Sequence, residues 1–270
     1  MPWFISSPPG GGVDVVRSPV TWTLGDDLEN LSLTGTKAVS ATGNALANVL
    51  FGNIAANVIR GEAGADRLDG GAANDTLVGG LGDDTYLLGR GYGSDRVQED
   101  DAAAGNTDTL SFLSGIGSEQ IWFRHVGNDL QVSVIGTGDK AALQDWYLGP
   151  QHRIEQFRTD DRQSLLDSRV QELVTAMASF TPPALGQTTL SAGYSALLPV
   201  IAATWQPAPT SSGLRMTPDV DPTTDVALHA QAAGLIDAMA AFSASSDARL
   251  DVLPIHSFHA LPVAVNPLAA

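Results

Sequence analysis

Glycine returns every nine residues along one stretch of the chain, at Gly43, Gly52, Gly61, Gly70 and Gly79, and this period constrains the fold more than any other feature. It opens five blocks in register: GNALANVLF, GNIAANVIR, GEAGADRLD, GGAANDTLV and GGLGDDTYL. The sixth position of each block holds Asn48, Asn57, Asp66, Asp75 or Asp84, and the eighth holds Leu50, Ile59, Leu68, Leu77 or Tyr86. After two inserted residues, RGYGSDRVQ (90–98) adds a sixth copy with Asp95 and Val97. One large apolar residue per nine fits neither the 3.6-residue period of a helix nor the 3.5-residue period of a coiled coil. Each block reads instead as a tight turn followed by a three-residue strand whose middle side chain points inward. Two blocks complete one flattened coil, so alternate blocks stack at the usual strand spacing of about 4.8 Å. The expected product is a parallel β-roll. A solvated acidic linker has no reason to hold Leu, Ile, Leu, Leu and Tyr at one phase.

Charge then narrows the ligand. Thirty Asp and Glu stand against fourteen Lys and Arg, a net charge of −16, which repels nucleic-acid backbones and anionic membrane surfaces. Residues 61–110 carry eleven acidic and three basic side chains, so half of that charge sits in less than a fifth of the length. Two like charges about 5 Å apart at an effective dielectric near 20 repel by roughly 3 kcal/mol, and a bound divalent ion reverses the sign. There is no cysteine, so metal chemistry falls to oxygen ligands or the five His. Calcium takes six to eight oxygens in flexible geometry, which suits turns rich in carbonyls and carboxylates, whereas magnesium demands a stricter octahedron.

The blocks at 61–66, 70–75 and 79–84 resemble the haemolysin-type, or RTX, calcium-binding nonapeptide GGxGxDxUx, a known calcium-binding β-helix repeat. The resemblance covers 43–98. It implies an RTX solenoid with Ca2+ held between stacked turns, Asp66 and Asp84 lining one edge and Asp75 and Asp95 the other. It also implies carbonyl ligands from Gly61, Ala63, Gly79 and Leu81 on the first edge and from Gly70, Ala72 and the Arg90 turn on the second. Asn48 and Asn57 replace Asp, Asn44 and Asn53 replace the second glycine, and Ala73 replaces a later one. Asn57 offers an amide oxygen without charge and is expected to be a weaker ligand, so one to three ions are expected in all.

The flanks complete a mainly β chain. Residues 1–42 read as strands leading into the roll, interrupted at Pro19 and Gly25, and resemble the ENLTLTG-like runs that precede such repeats. Residues 99–160 read as antiparallel strands capping the open end, with Ile121, Phe123, Leu130, Val132 and Val134 on one apolar face. This region resembles the haemolysin-type calcium-binding-related domain through IWFRHVGNDLQVSVIGTGD and RIEQFRTDD, with Asp129 and Asp139 read as turn residues. Residues 161–205 read as helical, with an apolar stripe through Leu166, Val170, Leu173, Val174, Met177 and Phe180 and a second helix interrupted at Pro199. Residues 206–270 read as a linker, a short helix and a partly disordered tail.

No basic and apolar leader opens the chain, and no apolar stretch approaches the eighteen residues of a spanning helix. The resemblance implies secretion from a Gram-negative bacterium by a type I secretion apparatus, with an export signal in the tail. Helices near 163–180 and 226–242 that pack together or dimerise are the alternative. The search for catalytic patterns finds no HExxH, GxSxG or GxxxxGK[ST]. GRGYGSD (89–95) matches a phosphate loop in glycine content alone, and its Asp95 would repel phosphate. His125, His152, His256 and His259 share no catalytic spacing. The pairs Asp100–Asp101 and Asp160–Asp161 read as exposed turns. The expected function is a secreted, non-enzymatic calcium module that folds on binding Ca2+. The alternative is the non-catalytic carboxyl part of a larger extracellular hydrolase, protease or pore-forming toxin.

Overall fold

The computed structural model describes residues 3–5, 12–103 and 105–207, all within the first of two units into which the chain divides, Met1–Asp219. The second apolar helix expected near 226–242, the tail and its export signal lie outside the described residues.

Successive short strands alternate between two sheets. Val15–Ser18, Asn30–Leu33, Val49–Phe51, Arg67–Asp69, Thr85–Leu88, Thr109–Phe112 and Gln156–Arg158 run parallel in the first. Trp22–Thr23, Ser40–Thr42, Val58–Ala63, Thr76–Leu81, Ser94–Gln98 and Lys140–Leu143 run parallel in the second. Each coil therefore contributes one strand to each sheet, and the nine-residue block is half a coil.

The register follows the eighth position of the block. In the first sheet Leu31, Leu50, Leu68, Tyr86, Leu110 and Phe157 stand in one column. In the second, Ala41, Ile59, Leu77, Val97 and Leu143 form another. All are buried, because a strand presents alternate residues to one face and both columns point into the space between the sheets. A slip of one residue would send the whole column to solvent, so the columns lock the register. The roll starts well before the nonapeptides, at Val15, and its parallel pairing passes residue 98 without a break.

The second sheet ends in a hairpin: Ile121–Val126 pairs antiparallel with Asp129–Val134, which pairs antiparallel with Lys140–Leu143. This covers the exposed edge with Ile121, Phe123, Leu130, Val132 and Val134 all buried. Trp146, Phe123 and Phe157 form a contiguous aromatic cluster where the roll closes.

The helical reading of 161–205 needs correction at both helices. Gln163–Leu166 is a strand, antiparallel to Gln156–Arg158, and helix α1 spans Asp167–Met177. The open edge of the first sheet claims these residues, placing Leu165 inside and leaving Leu166 half exposed. Val170, Leu173, Val174 and Met177 then form the buried stripe of α1. Helix α2 spans Leu198–Thr204, and Pro199 sits in its first turn, where its missing N–H costs nothing; it starts the helix and does not interrupt it. No helix among the described residues is long and apolar enough to cross a membrane.

Candidate metal centre

The sixth position of each block sits at the last residue before its strand or at the strand's start, so stacking the strands stacks these side chains. Their carboxylates form a ladder with the backbone of the coil below. Asp66 Oδ1 accepts the Asn48 N–H and Asp84 Oδ1 accepts the Asp66 N–H, at 2.7 and 2.8 Å. On the opposite edge Asp75 Oδ1 accepts the Asn57 N–H and Asp95 Oδ1 accepts the Asp75 N–H, at 2.7 and 2.9 Å. Asp66 and Asp84 thus line one edge of the roll, Asp75 and Asp95 the other.

Each of these carboxylates uses only one oxygen. The Oδ2 atoms of Asp66, Asp75, Asp84 and Asp95 are all buried and accept no hydrogen bond from the described residues. A buried carboxylate oxygen without a donor is costly, and a native fold retains four in equivalent places only where something else satisfies them. The opening glycines keep the space beside these oxygens clear. A Cβ on Gly61 would collide with Asp66 Oδ2 and stand 2.6 Å from the Gly79 carbonyl oxygen, and one on Gly70 would stand 2.5 Å from Asp75 Oδ2. The Gly61 and Gly70 carbonyl oxygens face Gly43 and Gly52 of the coil below in the same manner. The Leu81 carbonyl accepts the Gly64 N–H at 2.8 Å and keeps one lone pair.

The asparagine coils solve the same problem internally. Asn57 Oδ1 accepts the Asn53 N–H, and its Nδ2 donates to the Val39 carbonyl, both at 2.8 Å. Asn53 donates to the Thr34 and Lys37 carbonyls, and Asn44 to those of Gly25 and Leu28. Asn48 Oδ1 accepts the Asn44 N–H while its Nδ2 reaches the Leu28 carbonyl. Amide hydrogens here occupy turn carbonyls, whereas the aspartate coils bring unpartnered oxygens to the corresponding places. Asn57, expected as a weaker ligand, has both ends of its amide engaged.

Burial raises all four aspartates above the ordinary carboxylate range. Asp66 is pushed up to about 6 and Asp75 to about 7, chiefly by loss of water, against a lowering backbone hydrogen bond. Asp84 and Asp95 are pushed up to about 8 by the same desolvation, with further repulsion from acidic neighbours that include Asp108, Asp101 and Asp139. The donor set is all oxygen, anionic and curved into turns, which fits a hard divalent cation of flexible coordination.

Residues 42–77, 51–86 and 63–95 match the family model described as RTX calcium-binding nonapeptide repeat, and residues 129–161 match the haemolysin-type calcium binding protein related domain. Over residues 42–95 the chain is thus similar to RTX calcium-binding repeats.

Several residues of the RTX ladder escape the nine-residue count. Asp108 continues the first edge, its Oδ1 accepting the Asp84 N–H at 2.8 Å, and Glu155 caps it by accepting the Asp108 N–H at 2.8 Å. Their signal was a carboxylate two residues before an inward apolar side chain, Asp108 before Leu110 and Glu155 before Phe157, as in Asp66 before Leu68. Of the two aspartates read as turn residues, Asp129 opens the strand Asp129–Val134, and Asp139 lies just before Lys140–Leu143, its carboxylate accepting the Gly91 and Gly93 N–H groups at 2.9 and 2.8 Å and so holding the sixth RTX turn. Asp101 departs from the exposed-turn reading. It is buried and accepts the N–H groups of Gly82 and Ala103, while Asp100, Asp160 and Asp161 are exposed. His125 pairs with the Gly127 carbonyl and His152 with the Glu99 carbonyl, at 2.9 and 2.7 Å.

Two RTX positions strain the backbone. Glu62 and Ala73 stand where the consensus has glycine, at φ of 81° and 88°. A left-handed φ costs a residue bearing a Cβ roughly 1 kcal/mol or more. Ala73→Gly is expected to raise the melting temperature by about 1–4 °C, the strain relief exceeding the added entropy of the unfolded chain. Differential scanning calorimetry checks this, and a lower melting point would contradict it.

Proposed function

We propose that this chain is a secreted, non-catalytic calcium module whose RTX roll becomes ordered when Ca2+ enters between stacked turns. The observation that carries the reading is the set of four buried Oδ2 atoms, on Asp66, Asp75, Asp84 and Asp95, that accept no hydrogen bond. Those carboxylates, with the carbonyls of Gly61, Ala63, Gly70, Ala72, Gly79 and Leu81, are the proposed ligands. Asn57 is left out of the set because its amide is already engaged at both ends. The ion supplies the positive charge that lets the carboxylates ionise while buried, so metal uptake and folding are one event.

The same chemistry and the repeats support secretion. Turn sites built from carbonyls and one or two carboxylates fall among modules with dissociation constants near 10⁻⁴–10⁻³ M, which fill at extracellular calcium and stay empty at cytosolic levels. A type I apparatus would export the loose chain, and folding would follow outside.

Isothermal titration of the full chain with calcium, with magnesium as the parallel titrant, tests the reading. Calcium is expected to bind with a gain of β signal by circular dichroism and magnesium to give neither. Absence of calcium heat and of any spectral change overturns it.

A further inference from the structure

The RTX repeats end at a place where their own pattern is broken in an informative way. Val97 pairs with Leu77 and Gln98 with Val78, so one residue further along this register Glu99 stands above Gly79. The five blocks in register place a glycine at this inward position, where a Cβ would strike the block's own sixth-position side chain, Asn48 or Asn57 in the first two and an aspartate in the other three. At Gly79 it would strike Asp84 Oδ2 and the Tyr86 hydroxyl. The next coil instead places a glutamate there, and the chain lengthens to make room: Asp108 follows Glu99 by nine residues, where Asp84 follows Gly79 by five.

Glu99 is therefore held inside the roll, 4% exposed, beside Asp84 at 0% and Asp108 at 1%. Tyr86 fills the inward column with its ring, and its hydroxyl donates to Glu99 Oε2 at 2.8 Å. It is the one eighth-position residue of the nonapeptides with a polar end, and it orients the glutamate. Glu99 Oε1 and Asp84 Oδ2 are buried without a hydrogen-bond partner among the described residues. Asp108 accepts the Asp84 N–H through Oδ1, with Asn106 Nδ2 3.4 Å from its Oδ2. The three carboxylates offer one oxygen each, all within 4.8 Å of one another. Opposite oxygens around calcium stand about 4.6–5.2 Å apart, so the three fit within one coordination sphere. The further charges that act on the cluster, Asp66, Asp101 and Glu155, are acidic too. Glu99 and Asp108 both lie outside the residues matched by either family model.

We propose that Asp84, Glu99 and Asp108 form a separate cation site at the end of the repeat stack, binding Ca2+ through three carboxylates with Tyr86 as its positioning residue. It shares Asp84 with the last repeat and rests on the calcium reading only for the choice of ion. Three anionic ligands in place of one or two make it the site of highest charge density in the roll, and the one most favourable to a trivalent lanthanide. The competing arrangement is a metal-free cluster whose carboxyl groups share protons.

The test uses the full chain and Glu99→Gln, which keeps shape and the Tyr86 contact but removes one charge. Calcium titration is expected to give one ion fewer for Glu99→Gln, while Asp75→Asn, on the opposite edge, leaves this site filled. Terbium at substoichiometric amounts is expected to show emission excited through Tyr86, lost in Tyr86→Phe and in Glu99→Gln. In chelator Glu99→Gln is expected to melt above the parent, because the side chain no longer has to give up its charge to be buried. Calcium stoichiometry unchanged in Glu99→Gln, with the parent still binding calcium, overturns this site and leaves the repeat reading standing. A parent chain that binds no calcium overturns the repeat reading, and terbium emission retained in Tyr86→Phe and Glu99→Gln alike places the lanthanide elsewhere and overturns the inference.

Discussion

At pH 8 the chain in millimolar calcium is expected to melt at least about 5–10 °C above the same chain in chelator. One ion at a hundred times its dissociation constant stabilises the folded state by about 2.7 kcal/mol, which for a unit of this size is about 5–11 °C. Two ions double that, and typical net stabilities are only about 5–15 kcal/mol, so the chelated roll is expected to sit close to its unfolding threshold. The sequence makes the dependence large. Each half-coil buries one large apolar side chain, such as Leu68 or Leu77, and orders a whole turn whose inner surface is carboxylate and carbonyl. Without the ion that surface opposes folding, because Asp66 and Asp84 on one edge and Asp75 and Asp95 on the other lose water and gain no donor at Oδ2. Magnesium is expected to shift the melting point little, since its short bonds and strict octahedron suit these turns poorly. Calorimetric scans in calcium, magnesium and chelator check all three arms. Coincident curves in calcium and chelator would remove the basis for a metal-ordered roll.

The parts of the molecule legible in advance are those in which one residue type does one job at a fixed phase. Leu50, Ile59, Leu68 and Leu77 announce the inward columns, and the spacing of Asp66 to Asp84 announces the edge they line, because 18 residues make one coil. Legibility fails where the coil changes length. The step from Asp75 to Asp95 is 20 residues and that from Asp84 to Asp108 is 24, so a count of nines stops short of Asp108 and gives no reason to single out Glu99. The short signal that persists, a carboxylate two residues before an inward apolar side chain, would have found Asp108 and Glu155 but not Glu99, which stands in a glycine's place. The asparagines were readable as departures but not as a network: only the coil geometry shows Asn44, Asn53 and Asn57 donating to carbonyls one coil earlier. Tertiary pairing also overrides the helical stripe at Leu166, where an open sheet edge offers hydrogen bonds that an isolated helix start lacks.

In chelator the stability of the roll is expected to fall as pH rises from 5 to 8, the reverse of ordinary acid denaturation. Asp66, Asp75, Asp84 and Asp95 are raised from 3.8 to between about 6 and 8 in the fold, first by desolvation and then by acidic neighbours. Between pH 4 and 8 the folded chain therefore holds more protons than the unfolded chain, and stability must decline with pH across that window and level off above it. Below pH 4 both states are protonated and the full contribution is present. A single such group, discounted for the solvent that reaches an open turn, contributes about 2 kcal/mol, or about 4–8 °C. Saturating calcium is expected to remove the slope, because the ion binds only ionised carboxylates and its affinity climbs with pH over the same window in which the chelated fold loses stability. The two melting-temperature profiles should then meet in acid and separate toward pH 8, the calcium-loaded chain melting higher. Asp75→Asn, which cannot titrate at this position, should flatten the chelated profile and weaken the calcium response together. A chelated stability that rises between pH 5 and 8 would show that the buried carboxylates are ionised and paired without metal, and the calcium sites would lose their physical rationale.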